Sequence, residues 1–496
     1  MGFWSFWKRK KPAPSPYPIT GRDPEFQALV ARLYLEELGR EVDANGLIGW
    51  MNALRYGMTA DQLRQKLHDS EEGVAYRARP PVEPPPPTPV VTRRVGITRT
   101  NGHRFVDDTG EFFPLGATMM WAVNGWRNER DRLKKNAEWF RDHGVDYIRI
   151  ACQAGWVNPD WPDYETLLGE LIDWTYDECG MRVEPFIIGG GARDALNVAE
   201  KVARVINAGR THKVIYGLAA NEGYNGNCDE PTMIAVTRYM RAHTPNLWAV
   251  SDPVPGDRTS LDNMLVLSQH ADANLYAFEP DRSPRDLDWG MVRQTYDVKE
   301  FRGPVAVVEP PGPDSSVREL RDPLQLACMR ANSIICGAGA FVFHCGSMVL
   351  GQKDPNHPGR VPNIWEVNNI DAMMNAVRDA DTHLPAGVEN WTVANTGWRP
   401  PLPVAPFQPD ALWSGGADHG VNKAYSARSN DNRYVQLLLG VKDFVVMTAE
   451  HECITSCFDM SNNAHIEDKI LKAGDAWRLP GRSDTMTAYL LVGKTM

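Results

Sequence analysis

The chain of 496 residues is poor in several features that mark large functional classes. Its eight cysteines, Cys152, Cys179, Cys228, Cys328, Cys336, Cys345, Cys453 and Cys457, show no paired CxxC spacing, which argues against a zinc ribbon or finger. Buried free thiols fit better than a disulfide framework. Cys453 and Cys457 would share one face of a strand, where neighbours cannot normally bridge. No run of about 18 apolar residues occurs, so no transmembrane segment is expected. Lys and Arg total 53 against 63 Asp and Glu, a net charge of -10, the reverse of the surplus that nucleic-acid binding uses. Gly189-Gly190-Gly191 lacks the Lys-Ser/Thr and the GxGxxG spacing of phosphate-binding loops and reads as a tight turn beside a bulky substrate. Neither a nucleophile elbow nor a metal-ligand spacing is present, so the expectation is no cofactor and no metal.

A secretory signal is also missing from the first residues. Trp4, Phe6 and Trp7 precede Lys8, Arg9, Lys10 and Lys11, with no apolar h-region, and Phe6 stands where a myristoylation motif wants Ser or Thr. Pro12, Pro14, Pro16 and Pro18 follow, giving residues 1–20 the character of a sticky tip on an extended stalk. Docking into a partner protein or contact with a membrane interface would use such a tip; a disordered terminus has the same composition.

Residues 21–78 carry a helical pattern. Asp23-Pro24 is a good helix start, Phe26, Leu29, Val30, Leu33 and Tyr34 form one apolar face, Leu47, Trp50, Met51 and Leu54 a second, and Leu63 and Leu67 suggest a third helix. On Leu38-Gly39-Arg40, Asp43, Gly46-Leu47 and Trp50 this segment resembles a small helical domain of unknown function from bacterial surface proteins, which implies attachment or spacing. Asp43-Ala44-Asn45-Gly46 has too few oxygen ligands for a calcium loop and reads as a turn. Residues 79–94 form a proline-rich, semi-rigid linker.

Beyond it, strand-like and helix-like runs alternate. Strands are expected to start near Phe113, Tyr147, Arg182, Val214, Trp248, Asp272, Val305 and Ala340, with helices over 129–143, 164–179, 194–208, 231–243 and 315–336. This predicts an α/β fold, a (β/α)8 TIM barrel over 95–386. Residues 387–496, with runs such as Tyr434-Val435-Gln436-Leu437-Leu438-Leu439 split by turn residues, predict an antiparallel β-sandwich, either a structural accessory or a carbohydrate binder.

Two acidic residues stand at the ends of buried runs: Glu222 after Val214-Ile215-Tyr216-Gly217-Leu218-Ala219-Ala220-Asn221, and Glu309 after Val305-Ala306-Val307-Val308. At the carboxyl ends of barrel strands, such a pair suits glycosidic-bond cleavage with retention: one carboxyl protonates the leaving oxygen while the other attacks the anomeric carbon. Arg149, in the second strand, could hold Glu309 ionised. The bland alternative is that each glutamate caps a helix or pairs with a basic residue. Trp121 and Trp126 after the first strand, and Trp156 and Trp161 after the second, are candidates for sugar stacking, while Trp139 and Trp174 read as packing residues.

Phe105-Val106-Asp107-Asp108-Thr109-Gly110-Glu111-Phe112-Phe113, Tyr147-Ile148-Arg149-Ile150, Asn221-Glu222 and Glu309 together resemble the cellulase-like enzymes of glycoside hydrolase clan A. That resemblance covers about three-fifths of the chain. It implies an acid/base role for Glu222, a nucleophile role for Glu309, and contact of Asn221 with the sugar 2-hydroxyl. It also implies an aromatic hydroxyl from Tyr276 beside the nucleophile, with His270 a weaker candidate for the same wall. His344 stands where many relatives carry a stacking Trp. The expectation is a retaining hydrolase of a polysaccharide or oligosaccharide, with the alternative of a non-catalytic structural or carbohydrate-binding virion, tail or surface protein. Without a signal peptide, the chain would be virion-associated, or cytoplasmic before release.

Overall fold

The structure is a computed structural model and describes residues 23–38, 42, 44–70, 93–189, 194–223, 228–252, 258–280, 289–315, 320–354, 356–357, 359–397, 402 and 404–496. Expectations for residues 1–20, Gly39, Arg40, Asp43, Gly190, Gly191 and the proline run at 80–89 lie outside them. The chain divides into two compact units, Met1–Val90 and Val91–Met496. No helix among the described residues is long and apolar enough to cross a membrane.

The first unit contains α1 (Asp23–Leu38), α2 (Ala44–Arg55) and α3 (Ala60–His68). Val30, Leu33, Tyr34, Leu54, Leu63 and Leu67 form its core, drawn from the apolar faces read in the sequence. Trp50 donates to the Tyr34 hydroxyl at 2.9 Å. Thr59 and Gln62 exchange the reciprocal bonds of a capping box at the start of α3.

The second unit opens with a three-stranded antiparallel sheet, β1 (Arg99–Asn101), β2 (Arg104–Asp107) and β3 (Gly110–Phe112). Its Phe105 packs edge-on against Tyr216 at 5.8 Å, inside a cluster with Tyr147, Leu218, Ala306 and Val342. The sheet sits hard against the barrel: a side chain at Gly339 would meet the His103 carbonyl at 2.1 Å.

The barrel strands are β4 (Leu115–Thr118), β5 (Tyr147–Ala151), β6 (Arg182–Ile188), β7 (Gly217–Ala220), β8 (Trp248–Ala249), β9 (Tyr276–Phe278), β10 (Val305–Val307) and β11 (Ala338–Phe343). They pair in parallel in the order β8-β7-β6-β5-β4-β11-β10-β9. Asn274 bridges the β8/β9 seam: its N–H donates to the Trp248 carbonyl at 3.3 Å, and its side-chain oxygen accepts from Trp248 N–H at 2.7 Å. Strands buried on both faces read as continuous apolar runs, which explains why most barrel starts were legible. Two starts fall later than the sequence suggested, at Gly217 and Tyr276, and the last expected helix begins at Pro323, capped by Asp322.

A β-sandwich completes this unit. Its larger sheet runs β12 (Thr392–Asn395), β14 (Lys423–Arg428), β15 (Arg433–Leu439), β20 (Tyr489–Thr495), β17 (Cys453–Asp459), β18 (Ala464–Leu471), and its smaller one β13 (Phe407–Pro409), β16 (Phe444–Ala449), β19 (Ala476–Pro480). Alternation decides what each residue touches. Leu438 and Leu491 face the sandwich core with Phe407, Met447 and Trp477, whereas Tyr425, Leu437 and Leu490 join the core of the barrel. Cys453 and Cys457 lie in the sandwich core, and all eight cysteines are free thiols.

Candidate active site

The carboxyl ends of the strands open into a cleft of about 230 Å³. Asn221 and Glu222 follow β7, Glu279 follows β9, Glu309 follows β10 and His344 follows β11, and all five line it. Met120, Trp156, Phe186 and Val349 supply an apolar wall, and Gly189, Ser315, His357 and Arg360 complete the lining.

Glu222 and Glu309 both have left-handed backbones, with φ of 43° and 48°. Such a conformation is costly for a glutamate and persists only where neighbours fix it. At Glu222 those neighbours are Asp252, whose carboxylate accepts the Glu222 N–H at 3.1 Å, and Ser251, whose hydroxyl accepts the Gly223 N–H at 2.9 Å. The loops after β10 and β11 touch through their backbones: a Cβ at Gly312 would lie 1.9 Å from the His344 carbonyl, and one at Gly346 would lie 1.9 Å from that of Asp314. That close approach holds His344 against the loop carrying Glu309.

Each of Glu222, Glu279 and Glu309 has a carboxylate oxygen within 4.8 Å of the others. Beneath them lies Arg149, fully buried on β5. Its Nη1 donates to Glu309 Oε1 at 2.9 Å, its Nη2 to Asn221 Oδ1 at 2.5 Å, and its Nε lies 3.1 Å from Glu184 Oε1. Glu184 occupies β6 opposite Arg149, and its second oxygen accepts from the Tyr216 hydroxyl at 2.9 Å. The Tyr216 and Tyr147 hydroxyls are 2.8 Å apart.

Burial dominates the electrostatics. It pushes the Glu184 carboxyl up to about 7, against the opposing pull of Arg149 and the Tyr216 hydrogen bond. Burial also works against the charge on Arg149, but Glu309, Glu184 and Asp252 outweigh it and raise the guanidinium further above its ordinary value. His344 is pushed down to about 3 by burial, then by the cationic Arg149 and Arg360, so its imidazole is neutral; its Nδ1 lies 3.0 Å from Thr118 Oγ1.

Of the residues singled out in the sequence, Arg149, Asn221, Glu222, Glu309, His344 and Trp156 gather at the cleft. Five others lie elsewhere. Tyr276 begins β9 and packs on Phe301 with ring centroids 5.1 Å apart, away from the cleft lining. His270 ends the exposed side of the helix Arg258–His270, where its carbonyl accepts from Arg238. Trp121 and Trp126, expected on the substrate rim, are 1% and 4% exposed. Trp121 lies under the Arg132 guanidinium at 4.2 Å, and Trp126 packs on Trp174 at 5.4 Å. The helix Ala122–Asn128 starts directly after Trp121 and turns both indoles into the core. Trp161 is half-buried beneath Arg127.

Glu184, Glu279, Asp252, His357 and Arg360 were not anticipated. Glu279 had a visible signal, since it ends the apolar run Leu275-Tyr276-Ala277-Phe278 as Glu309 ends its own. Glu184 was detectable as a charge inside a buried strand.

No family model matches the chain, and no curated protein matches it. Among solved structures, the chain is similar to a glycoside hydrolase at 12% identity, covering 80% of this chain and 96% of that one, with a TM-score of 0.45. It is similar to a glycoside hydrolase family 5 protein from Bacteroides vulgatus at 11% identity, over 80% and 92% of the two chains, with a TM-score of 0.46. A glycoside hydrolase family 30 subfamily 8 xylanase from Clostridium acetobutylicum is similar at 11% identity, over 77% and 96%, with a TM-score of 0.41. These are likenesses of fold, and the chemistry is read from the side chains.

Proposed function

We propose that the protein is a glycoside hydrolase that cleaves a polysaccharide or oligosaccharide with retention of configuration. The observation that carries this reading is the approach of Glu222 and Glu309 to within 4.8 Å, in one cleft at the carboxyl end of the barrel. Retention needs carboxyl groups about 5–5.5 Å apart, whereas inversion leaves about 6.5–9.5 Å for a water. Glu309 attacks the anomeric carbon while Glu222 protonates the departing glycosidic oxygen; Glu222 then takes a proton from the water that releases the sugar from Glu309. Arg149 keeps the attacking carboxylate ionised and oriented. Asn221 is assigned the sugar 2-hydroxyl, and Trp156 the flat face of a neighbouring sugar. The helical unit is assigned attachment or spacing.

Three close carboxylates are also a donor set for an oxygen-binding cation. The guanidinium already bonded to Glu309 favours the acid/base reading, so turnover is expected to survive a chelator. The decisive test is a pair of variants assayed on aryl glycosides. Glu309→Gln should lose at least about a thousandfold in kcat, whereas Glu222→Gln should keep far more activity on leaving groups that need little protonation. Equal, small losses in both would refute these roles.

A further inference from the structure

The excursion after β11 carries a second buried guanidinium into the same cleft. Arg360 is 8% exposed and lines the cleft. Its Nη1 donates to Asp354 Oδ2 at 3.1 Å and its Nε to the Asp314 carbonyl at 3.3 Å, while its Nη2 has no partner among the described residues. Asp354 also fixes His357, whose Nδ1 lies 2.8 Å from the same carboxylate oxygen; the other ring nitrogen has no partner among the described residues. The platform beneath is cross-bonded. Asp314 bonds Arg321 at 2.7 Å and also takes the Ser347 hydroxyl, and that same hydroxyl accepts the Val361 N–H at 3.0 Å.

Holding a guanidinium out of water is costly, and here the protein satisfies only part of its fork. Hydroxyl groups of a neutral sugar already find acceptors and donors along the cleft in Asn221, His344 and the glutamates. What the Arg360 fork adds is a charge-assisted contact to an oxyanion, for which arginine geometry is suited. An acidic sugar placed directly on the three glutamates would be repelled, so its recognition requires a cation set beside them. Arg360 has that placement, because it lines the same cleft as Glu222, Glu279 and Glu309.

We propose that Arg360, with His357, forms a subsite for an oxyanion substituent, carboxylate or sulfate, on the glycan, so that the substrate class is an acidic polysaccharide. As a substrate subsite it rests on the glycosidase reading, but its binding test does not. The probes are an oligogalacturonate tetramer, a sulfated heparin tetrasaccharide and neutral cellotetraose, titrated calorimetrically into the full chain carrying Glu309→Gln. One of the acidic glycans should bind about tenfold or more tightly than the neutral one, and added salt should weaken it. Whether the uronate or the sulfated probe wins identifies the substituent. Adding Arg360→Gln should bring the acidic-to-neutral affinity ratio to about one. Because Arg360 also anchors the loop, His357→Gln provides a half-exposed second variant that should lower the ratio a few-fold, about threefold. A panel in which no acidic glycan outbinds cellotetraose, or in which both folded variants keep the ratio, overturns the proposal. Acidic binding with no glycan cleaved by the wild type would keep the subsite and sink the hydrolase reading.

Discussion

Two buried arginines serve the cleft, and they are embedded differently. Arg149 rises from the middle of β5 and hydrogen-bonds Glu309 and Asn221 through its two terminal nitrogens, with the Glu184 carboxylate 3.1 Å from Nε as a second ionic partner. Arg360 sits on the excursion after β11 and commits only Nη1 and Nε to the protein. A guanidinium surrounded on all sides by its own fold fixes the charge and position of a neighbouring carboxylate. One left open on a single edge can recognise something that arrives. Burial alone does not separate the two roles; Arg149 is ion-paired with two carboxylates and Arg360 with one.

The largest expected effect comes from removing the enclosed charge. Arg149→Met leaves Glu184 and Glu309 without their shared cation, and deleting one partner of a buried ionic cluster typically costs about 3–5 kcal/mol. Urea denaturation near pH 7.5 should register that loss, and Arg360→Met should lose distinctly less. If Arg149→Met were as stable as wild type, the difference between the two sites would collapse.

A smaller effect isolates Glu184. Its folded-state carboxyl is raised to about 7 from an ordinary 4.5, chiefly by burial, so across that window the folded protein holds a proton that the unfolded chain releases. This group's contribution is therefore fully present below about pH 4.5 and is lost as pH rises through about 7. Glu184→Gln, which keeps the shape and cannot ionise, should gain on the wild type by up to about 3 kcal/mol between those values and then run parallel to it. Parallel stability curves from pH 4 to 8 would mean that Arg149 compensates Glu184 completely.

How legible each feature was in the sequence follows from the range of its contacts. The barrel is readable because its strands are apolar on both faces, and the positions of Glu222 and Glu309 after β7 and β10 are readable because each ends such a run. The resemblance points to Tyr276, which begins β9, while Glu279, directly after the strand, lines the cleft. Trp121 and Trp126 follow a strand as rim residues do, yet a helix beginning at once buries them. The segment from Asp354 to Arg360 reads locally as a polar, proline-containing loop. Its meaning depends on Asp314, 46 positions before Arg360, and no periodicity reports a contact of that kind.

The smallest term tests how much of Arg360 is structural. Arg360→Lys keeps a cation within reach of Asp354 but gives up the planar fork, and with it the Nε bond to the Asp314 carbonyl. Asp314 retains Arg321 and Ser347, and Asp354 retains His357, so no carboxylate in the platform is abandoned. The expected cost is one hydrogen bond, about 1 kcal/mol, read as a small shift in urea midpoint. The same exchange at Arg149 cannot serve Glu184, Glu309 and Asn221 from one ammonium and should cost several times more. Equal losses for Arg360→Lys and Arg149→Lys would show that Arg360 is a structural pin like Arg149, with its open edge incidental. A loss confined to Arg149→Lys would leave Arg360 as the arginine held for a ligand.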